Sequence, residues 1–236
     1  MAHELLIRPI ARIRTDFPEK FGIPRQAGIA AQLQGEIVFE PEFRMEEALR
    51  GLEEFSHIWL IWGFSENEGH DWSPTVRPPR LGGNKRVGVF ASRSPFRPNG
   101  LGLSCVRLLS LRKDPSLGTT LLVAGADMVD GTPIYDIKPY LPYADSIPDA
   151  AGGFAPDAGR RLQVVSPPEF LEVIPQEKRE ALLSVLAHDP RPRYQNDPDR
   201  IYGMAFAGLQ IRFRADDAML TIVGVEKMGM PTQSGM

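Results

Sequence analysis

The chain has 236 residues, of which 42% are hydrophobic and 24% charged, and a formal net charge of -3. That is an ordinary globular composition, enough for one large domain or a medium domain with a smaller appendage. No apolar run approaches the roughly 20 residues that cross a bilayer, and Met1-Ala2-His3-Glu4 opens no basic-then-apolar leader. A soluble, cytoplasmic protein is expected. The single cysteine, Cys105, excludes an internal disulfide, and its apolar run from Leu101 to Leu111 reads as core rather than as a nucleophile's surroundings.

The first half reads as β. Leu5 to Ile13 is apolar-rich, and Glu36 to Phe39 is a short apolar strand. One helix is expected, over Met45 to Leu52. Phe55 to Phe64 is rich in aromatic and β-branched residues, which favours a strand. Arg86 to Ala91 alternates with Val87 and Val89 on one face, and Phe90 reads as core. Leu101 to Leu111 and Thr119 to Ala126 form two long strands joined at Asp114-Pro115-Ser116, and a short strand surrounds Ile134 to Ile137. Consecutive strands with few helices predict a closed or strongly curved barrel, not a doubly wound sheet. Two long loops interrupt it, Thr15 to Gln34 and the Pro- and Gly-dense Ser65 to Lys85. Loops of that length in compact domains are usually functional or disordered.

Composition changes near residue 140. Pro142 to Gly159 reads as a linker or surface loop. A helix follows over Gln176 to Ala187, where Leu182, Val185 and Leu186 have helical spacing and Asp189-Pro190 ends it. Tyr202 to Phe213 and Met219 to Glu226 then read as a hairpin turning at Ala215-Asp216-Asp217. This is a small α+β unit.

Charge is unevenly spread. From Trp72 to Lys113 there is no acid, but there are nine bases: Arg77, Arg80, Lys85, Arg86, Arg93, Arg97, Arg107, Arg112 and Lys113. The remaining 18 bases face all 30 acids. Such a block sets a local positive field on an otherwise acidic chain, suited to a polyanion, unless folding brings acids to it. Several signals are absent. Gly82-Gly83-Asn84-Lys85-Arg86 lacks Walker spacing, Gly100 and Gly102 precede a strand rather than a helix, and His3, His57, His70 and His188 lack metal-ligand spacing. Ser110 and Lys113 match a nucleophile motif by letter only. No metal site is expected.

Two segments carry chemistry. Pro74 to Asn99 sets Gly82-Gly83, which permits close backbone approach, among arginines able to bind phosphate or carboxylate through paired hydrogen bonds. In Asp127 to Pro142, Asp130-Gly131 is a favoured hairpin turn signal. Asp127 precedes it at a strand end, where a carboxylate can meet a ligand, and Asp136 can pair with Lys138. A non-catalytic RNA-binding protein fits the basic block. A hydrolase built on Asp127 and Asp130 would lack an evident nucleophile or metal set.

KFGIPRQAG (Lys20 to Gly28), ALRGLEEFSHIWLIWGF (Ala48 to Phe64), PTVRPPRLGGNKRVGVFASRSPFRPNGLGLS and DMVDGTPIYDIKPYLPYADSIPDA closely resemble the TsaA-like (TrmO) family of tRNA N6-adenosine methyltransferases. DPRPRY (Asp189 to Tyr194) resembles the family's second-domain signature. The resemblance implies a mainly β fold, with a single-sheet β-barrel catalytic domain over 1–145 and a small α+β tRNA-recognition unit over 146–236. It also implies a homodimer and S-adenosylmethionine as methyl donor. The implied acceptor is N6 of threonylcarbamoyl-adenosine beside the anticodon of threonine tRNA, at position 37. By position, the donor pocket takes Arg25, Gln26, Ser65, Glu66, Arg93, Leu103, Asp127, Met128, Val129, Asp130 and Gly131. The family carries His-Gln where this chain has Ser65-Glu66, and often proline at Gly100.

Arg93 suits the donor's carboxylate, and Asp127 or Asp130 its ribose or ammonium. Asp130 is also the candidate general base. An arginine among Arg77, Arg80, Arg86 and Arg97 would hold the threonyl carboxylate or a phosphate. Lys138 is a further substrate contact. Tyr140, Tyr194 and Phe96 are candidates to stack on loop bases. Arg191, Arg193 and Tyr194 are candidates to grip tRNA, unless Asp189-Pro190-Arg191 only staples helix to strand.

Overall fold

The computed structural model describes residues 5–67, 69–192 and 197–229. The first strands are β1 (Ala11–Arg14), β2 (Gln34–Phe39), β3 (His57–Gly63), β4 (Thr75–Val76) and β5 (Val87–Gly88). They are followed by β6 (Leu101–Asp114), β7 (Gly118–Ala124) and β8 (Pro133–Pro139). Six of them pair in the order β1-β2-β7-β6-β3-β8, and β1 also pairs with β8, so the sheet closes. Alternation sends every second side chain inward. Ile58, Leu60 and Trp62 of β3 meet Val106 and Leu108 of β6, Leu121 and Val123 of β7, and Ile13, Ile37 and Ile134 in one core. Glycine is needed where Trp62 crosses Gly102, because a Cβ there would lie 2.3 Å from Trp62 Cε2.

Several expected elements are shorter or different. Leu5 and Leu6 are exposed, and only Ala11–Arg14 of that apolar segment pairs as a strand. Met45 to Leu52 is not one helix. Glu46–Leu49 and Leu52–Glu54 form two 3-10 turns, separated at Gly51, whose φ of 85° breaks the helical path. Arg86 to Ala91 pairs only at Val87–Gly88 and then coils into a 3-10 turn, Val89–Ala91, so Val89 is buried while Phe90 faces solvent. Asp130-Gly131 does form a turn, closed by Thr132 N–H to Val129 O at 3.2 Å, but it joins no hairpin because β7 and β8 are not partners. Cys105 lies on the outward side of β6, half-exposed opposite Trp59, not in the core. Burial and then the charge of Asp145 raise its thiol pKa, which keeps it protonated and poorly nucleophilic.

The rest comprises α1 (Pro142–Asp145), β9 (Gln163–Val165), α2 (Pro168–Val173), α3 (Gln176–Ala187), β10 (Tyr202–Phe206), β11 (Leu209–Ala215) and β12 (Met219–Lys227). The expected strand Tyr202 to Phe213 is two strands, turned at Ala207-Gly208, both at positive φ. The four strands order as β10-β11-β12-β9, with β9 parallel to β12. Ala181, Leu182, Val185 and Leu186 give α3 one buried stripe. The helix stops where Asp189 takes a φ of 52° before Pro190.

This second core is not made by the second half alone. Phe17, Ala30 and Leu33, from the long loop between β1 and β2, are buried in it. The Phe17 ring meets Phe206 edge-on at 5.3 Å. Asp16 takes the Ala207 N–H at 2.9 Å and an ion pair from Lys178 at 2.7 Å. Gly22 lies so close to Met204 that a Cβ would fall 2.1 Å from its sulfur.

Candidate functional site

The same loop has a second face, and there it meets the barrel. Lys20 Nζ donates to Glu66 O at 2.8 Å and to Asn67 Oδ1 at 2.6 Å, tying the loop to the turn after β3. Gly28 N–H donates to Gly125 O at 2.8 Å. Between these anchors Arg93 donates to Gln26 Oε1, and the Ala27 N–H donates to the Asp127 carboxylate. Asp127 Oδ1 also accepts the Ser104 hydroxyl at 2.6 Å, and Ser104 Oγ in turn accepts the Trp62 indole N–H at 2.9 Å. Burial pushes the Asp127 carboxyl above its ordinary pKa, against the pull of Ser104, the Ala27 amide and the Arg93 charge. A largely enclosed acid, oriented by several donors and facing a guanidinium, is a ligand-binding arrangement.

Gln26 and Arg93 stand on the wall of a cleft of about 1720 Å³. Its walls come from the 22–29 loop, the 73–96 segment, residues 151–162 and 185–192, and Asp217. Arg25, Arg77, Arg80, Arg86, Arg93, Arg160 and Arg191 line it, against Asp157, Asp189 and Asp217. Its size exceeds the few hundred to about 1,000 Å³ of an ordinary small-molecule site. It suits a nucleoside-bearing donor together with part of a larger ligand. His188 also lines it. Burial and then the Arg161 charge lower the pKa of His188, and its Nε2 is buried with no hydrogen-bond partner.

The expected site residues divide. Gln26, Arg93 and Asp127 come together, and Arg25 joins the cleft while donating to Arg191 O at 3.0 Å. Ser65 and Glu66 sit in a 3-10 turn reached by the loop through Lys20. Leu103 points outward on β6, opposite in sense to Ser104. Met128 is buried in the barrel core, and the carbonyls of Met128, Val129 and Gly131 accept from Thr15, Thr132 and Arg12. Asp130 Oδ1 accepts the Thr15 N–H at 2.9 Å, and Asp130 borders a separate groove of about 300 Å³ with Arg12, Arg14 and Glu40. The segment 128–131 is thus tied to β1 and Thr15, and Asp130 does not line the cleft.

Arg77, Arg80 and Arg86 are at the cleft. Arg80 is paired with Asp157 at 3.6 Å, and Arg86 donates to Thr75 Oγ1 at 2.7 Å. Arg97 is turned away, capping the Ser92 and Ser94 carbonyls. Lys138 pairs with Asp136 at 2.8 Å on the outer barrel wall, and Tyr140 packs there against His57 and Trp59. Arg191 is a correction. It is 4% exposed, and its guanidinium is spent on both Asp189 oxygens and on the carbonyls of Ala215 and Asp216. It staples helix to sheet, with four of its five N–H donors engaged inside the fold. Arg193 and Tyr194 lie outside the described residues. Sequence reasoning missed Ser104, Trp62 and Lys20. Ser104 left a signal, as the one polar residue among the inward positions Gly102, Ser104, Val106 and Leu108.

Comparisons with known proteins identify the family. Residues 12–146 match the tRNA-methyltransferase O N-terminal domain, and residues 159–228 match the TrmO C-terminal domain. The tRNA (adenine(37)-N6)-methyltransferase of Escherichia coli (strain K12) is 41% identical over 228 residues, covering 92% of this chain and 96% of that protein. A Pseudomonas aeruginosa protein with the provisional name S-adenosylmethionine-dependent methyltransferase RcsF is 41% identical over 215 residues, 88% of this chain and 91% of its own. A crystal structure of TrmO from Pseudomonas aeruginosa superposes with a TM-score of 0.75 at 34% identity, covering 96% of this chain and all of that one. With both family domains matched in order along the chain that builds this cleft, the protein belongs to the tRNA-methyltransferase O family.

Proposed function

We propose that this protein is a tRNA (adenine(37)-N6)-methyltransferase that moves a methyl group from S-adenosylmethionine to N6 of threonylcarbamoyl-adenosine in threonine tRNA. The observation that supports the methyltransferase reading is the 41% identity, over 92% of this chain, to the Escherichia coli tRNA (adenine(37)-N6)-methyltransferase, while the threonylcarbamoyl acceptor and threonine tRNA follow from the family resemblance. The barrel, residues 1–145, is the catalytic domain, and residues 146–236 complete the RNA-binding wall. The enzyme works in the cytoplasm as a homodimer, and the outward-facing Leu101, Leu103 and Leu109 of β6 offer an apolar surface for pairing.

The residues present fit the donor. Arg93 would hold its carboxylate, and Asp127 would accept from its ammonium or ribose hydroxyl, with Gln26 and the Ala27 amide fixing both partners. The bound donor supplies an activated methyl group on a sulfonium. The protein's work is therefore mainly positioning and exclusion of water. Ser104 and Trp62 hold the Asp127 carboxylate in one orientation. Arg77, Arg80 and Arg86 line the route for phosphates or the threonyl carboxylate. The urea-like N6–H of the modified base is more acidic than a plain amine, which explains a preference for the threonylcarbamoyl form.

The test is isothermal titration with S-adenosylmethionine, with Arg93→Ala beside wild type. Micromolar binding, about -8 kcal/mol, is expected, weakened roughly tenfold or more when the charged hydrogen-bond donor is removed. Methyl transfer is then measured on threonine tRNA with and without the threonylcarbamoyl group. Equal rates on both would refute the finer substrate assignment. Failure of wild type to bind the donor, with or without tRNA, would refute the methyltransferase reading and leave a non-catalytic RNA-binding protein.

A further inference from the structure

Phe90 is the side chain on the cleft wall whose exposure most contradicts its chemistry. The ring is 75% exposed, the highest among the cleft-lining aromatics. It is not on a loose loop. Phe90 sits at the centre of the 3-10 turn Val89–Ala91. Val89 is buried beneath it and donates its N–H to Pro74 O at 3.0 Å. Ser92 closes the turn with its N–H to Val89 O at 3.1 Å and its hydroxyl to the same oxygen at 2.8 Å. The fold thus spends a buried anchor and three hydrogen bonds to hold an aromatic ring in water. Single exposed apolar residues are common, but this one lines the same concave surface as Arg77 and Arg86.

We propose that Phe90 is a stacking platform for one unstacked nucleobase of the RNA, with Arg77 and Arg86 taking the flanking phosphates. The inference rests on the tRNA-binding reading and deepens it. Every base has a π face, so an aromatic platform supplies affinity without reading base identity. Single-stranded loop bases are the part of an RNA that can be splayed onto such a ring. The positive lining selects a polyanion over an apolar protein surface. A platform also needs rigidity, because an already fixed ring loses little entropy when a base lands on it.

The test compares wild type, Phe90→Ala and Phe90→Trp in binding a fluorescent tRNA anticodon stem-loop, with S-adenosylmethionine titration and light scattering on each. Phe90→Ala should weaken RNA binding by about 5- to 150-fold, the loss of one base–aromatic stack. Phe90→Trp should restore it to within about threefold of wild type. Donor affinity and oligomeric state should not move. The proposal is overturned if Phe90→Ala binds RNA as wild type does, or if Phe90→Trp fails to restore what alanine loses. It is equally overturned if Phe90→Ala loses RNA only together with a change in oligomeric state, which would assign the ring to a protein contact. If wild type binds donor but no RNA, the parent reading of the cleft fails and the platform with it.

Discussion

Replacing Phe17 by alanine tests whether the loop between β1 and β2 is held by the second core. The ring is 1% exposed and packs edge-on against Phe206 at 5.3 Å. Removing a buried phenyl group costs roughly 3–5 kcal/mol, depending on how far the site collapses. Here collapse is restrained on both sides. Phe17 O accepts the Asp130 N–H at 2.8 Å, and the neighbouring Asp16 is bound to Ala207 and Lys178. The expected loss is therefore about 4 kcal/mol, a large fraction of the 5–15 kcal/mol typical of a domain. In urea, followed by tryptophan fluorescence and far-ultraviolet dichroism, the midpoint should fall by about 1.5 M at a slope near 2.5 kcal/mol per molar. Leu6→Ala, at a residue 90% exposed, is the control and should leave it unmoved. Donor affinity should fall as well, since the loop presents Gln26 and the Ala27 amide to Arg93 and Asp127. A midpoint shift below about 0.4 M, near 1 kcal/mol, would refute the claim that Phe17 seals this core. A full shift with unchanged donor affinity would show that Lys20 and the Gly28–Gly125 bond hold the donor face unaided.

Two further outcomes follow from buried charge. Asp127→Asn should abolish donor binding yet stabilise the fold at neutral pH. The folded-state pKa of this acid lies above its unfolded value, so ionisation disfavours the folded state. The penalty is absent below the unfolded value of about 3.9 and sets in as pH rises through the folded one. The stabilisation by asparagine should therefore vanish in thermal melts at low pH, and a pH-independent gain would contradict the assignment. Arg191→Met should cost about 3 kcal/mol, because it strands the half-buried Asp189 and unpairs the Ala215 and Asp216 carbonyls. Melting temperature should drop while RNA affinity, measured well below the melt, stays put. Lost affinity at full stability would restore Arg191 to the RNA-binding set.

Some of this was written plainly in the sequence. Helix α3 was legible because three apolar residues at helical spacing ran into Asp189-Pro190, and β3 because aromatic and β-branched residues crowd Phe55 to Phe64. The same local rules misread Arg86 to Ala91. Alternating valines suggested a strand, but a partner exists only for Val87 and Gly88, and the chain coils where pairing ends. That error hid the exposed Phe90. Strand β9 was unreadable for the complementary reason: three residues acquire strand geometry only because β12 lies alongside. At the site, Arg93 was named through family resemblance, and Asp127 also from its place at a strand end, but the sequence left both Asp127 and Asp130 as ligand candidates. Only the fold separates them, setting one beside Ser104 and the Ala27 amide and turning the other to Thr15.

The loop at residues 15–34 explains why the site resists a domain-by-domain reading. Its apolar residues, Phe17, Ala30 and Leu33, belong to the second core, whereas its polar contacts from Lys20, Gln26, Ala27 and Gly28 belong to the barrel. The boundary read from composition near residue 140 separates two sheets, but it does not separate two independent packing units. Exposing Phe17 and its neighbours would cost on the order of 2 kcal/mol for each large side chain, so the loop has reason to stay docked. Whatever the second half grips is therefore mechanically one loop away from Arg93 and Asp127. A shift of β10 against α3 would strain the contacts that Asp16 and Phe17 make with Ala207, Lys178 and Phe206, and with them the loop that carries Gln26 and Ala27.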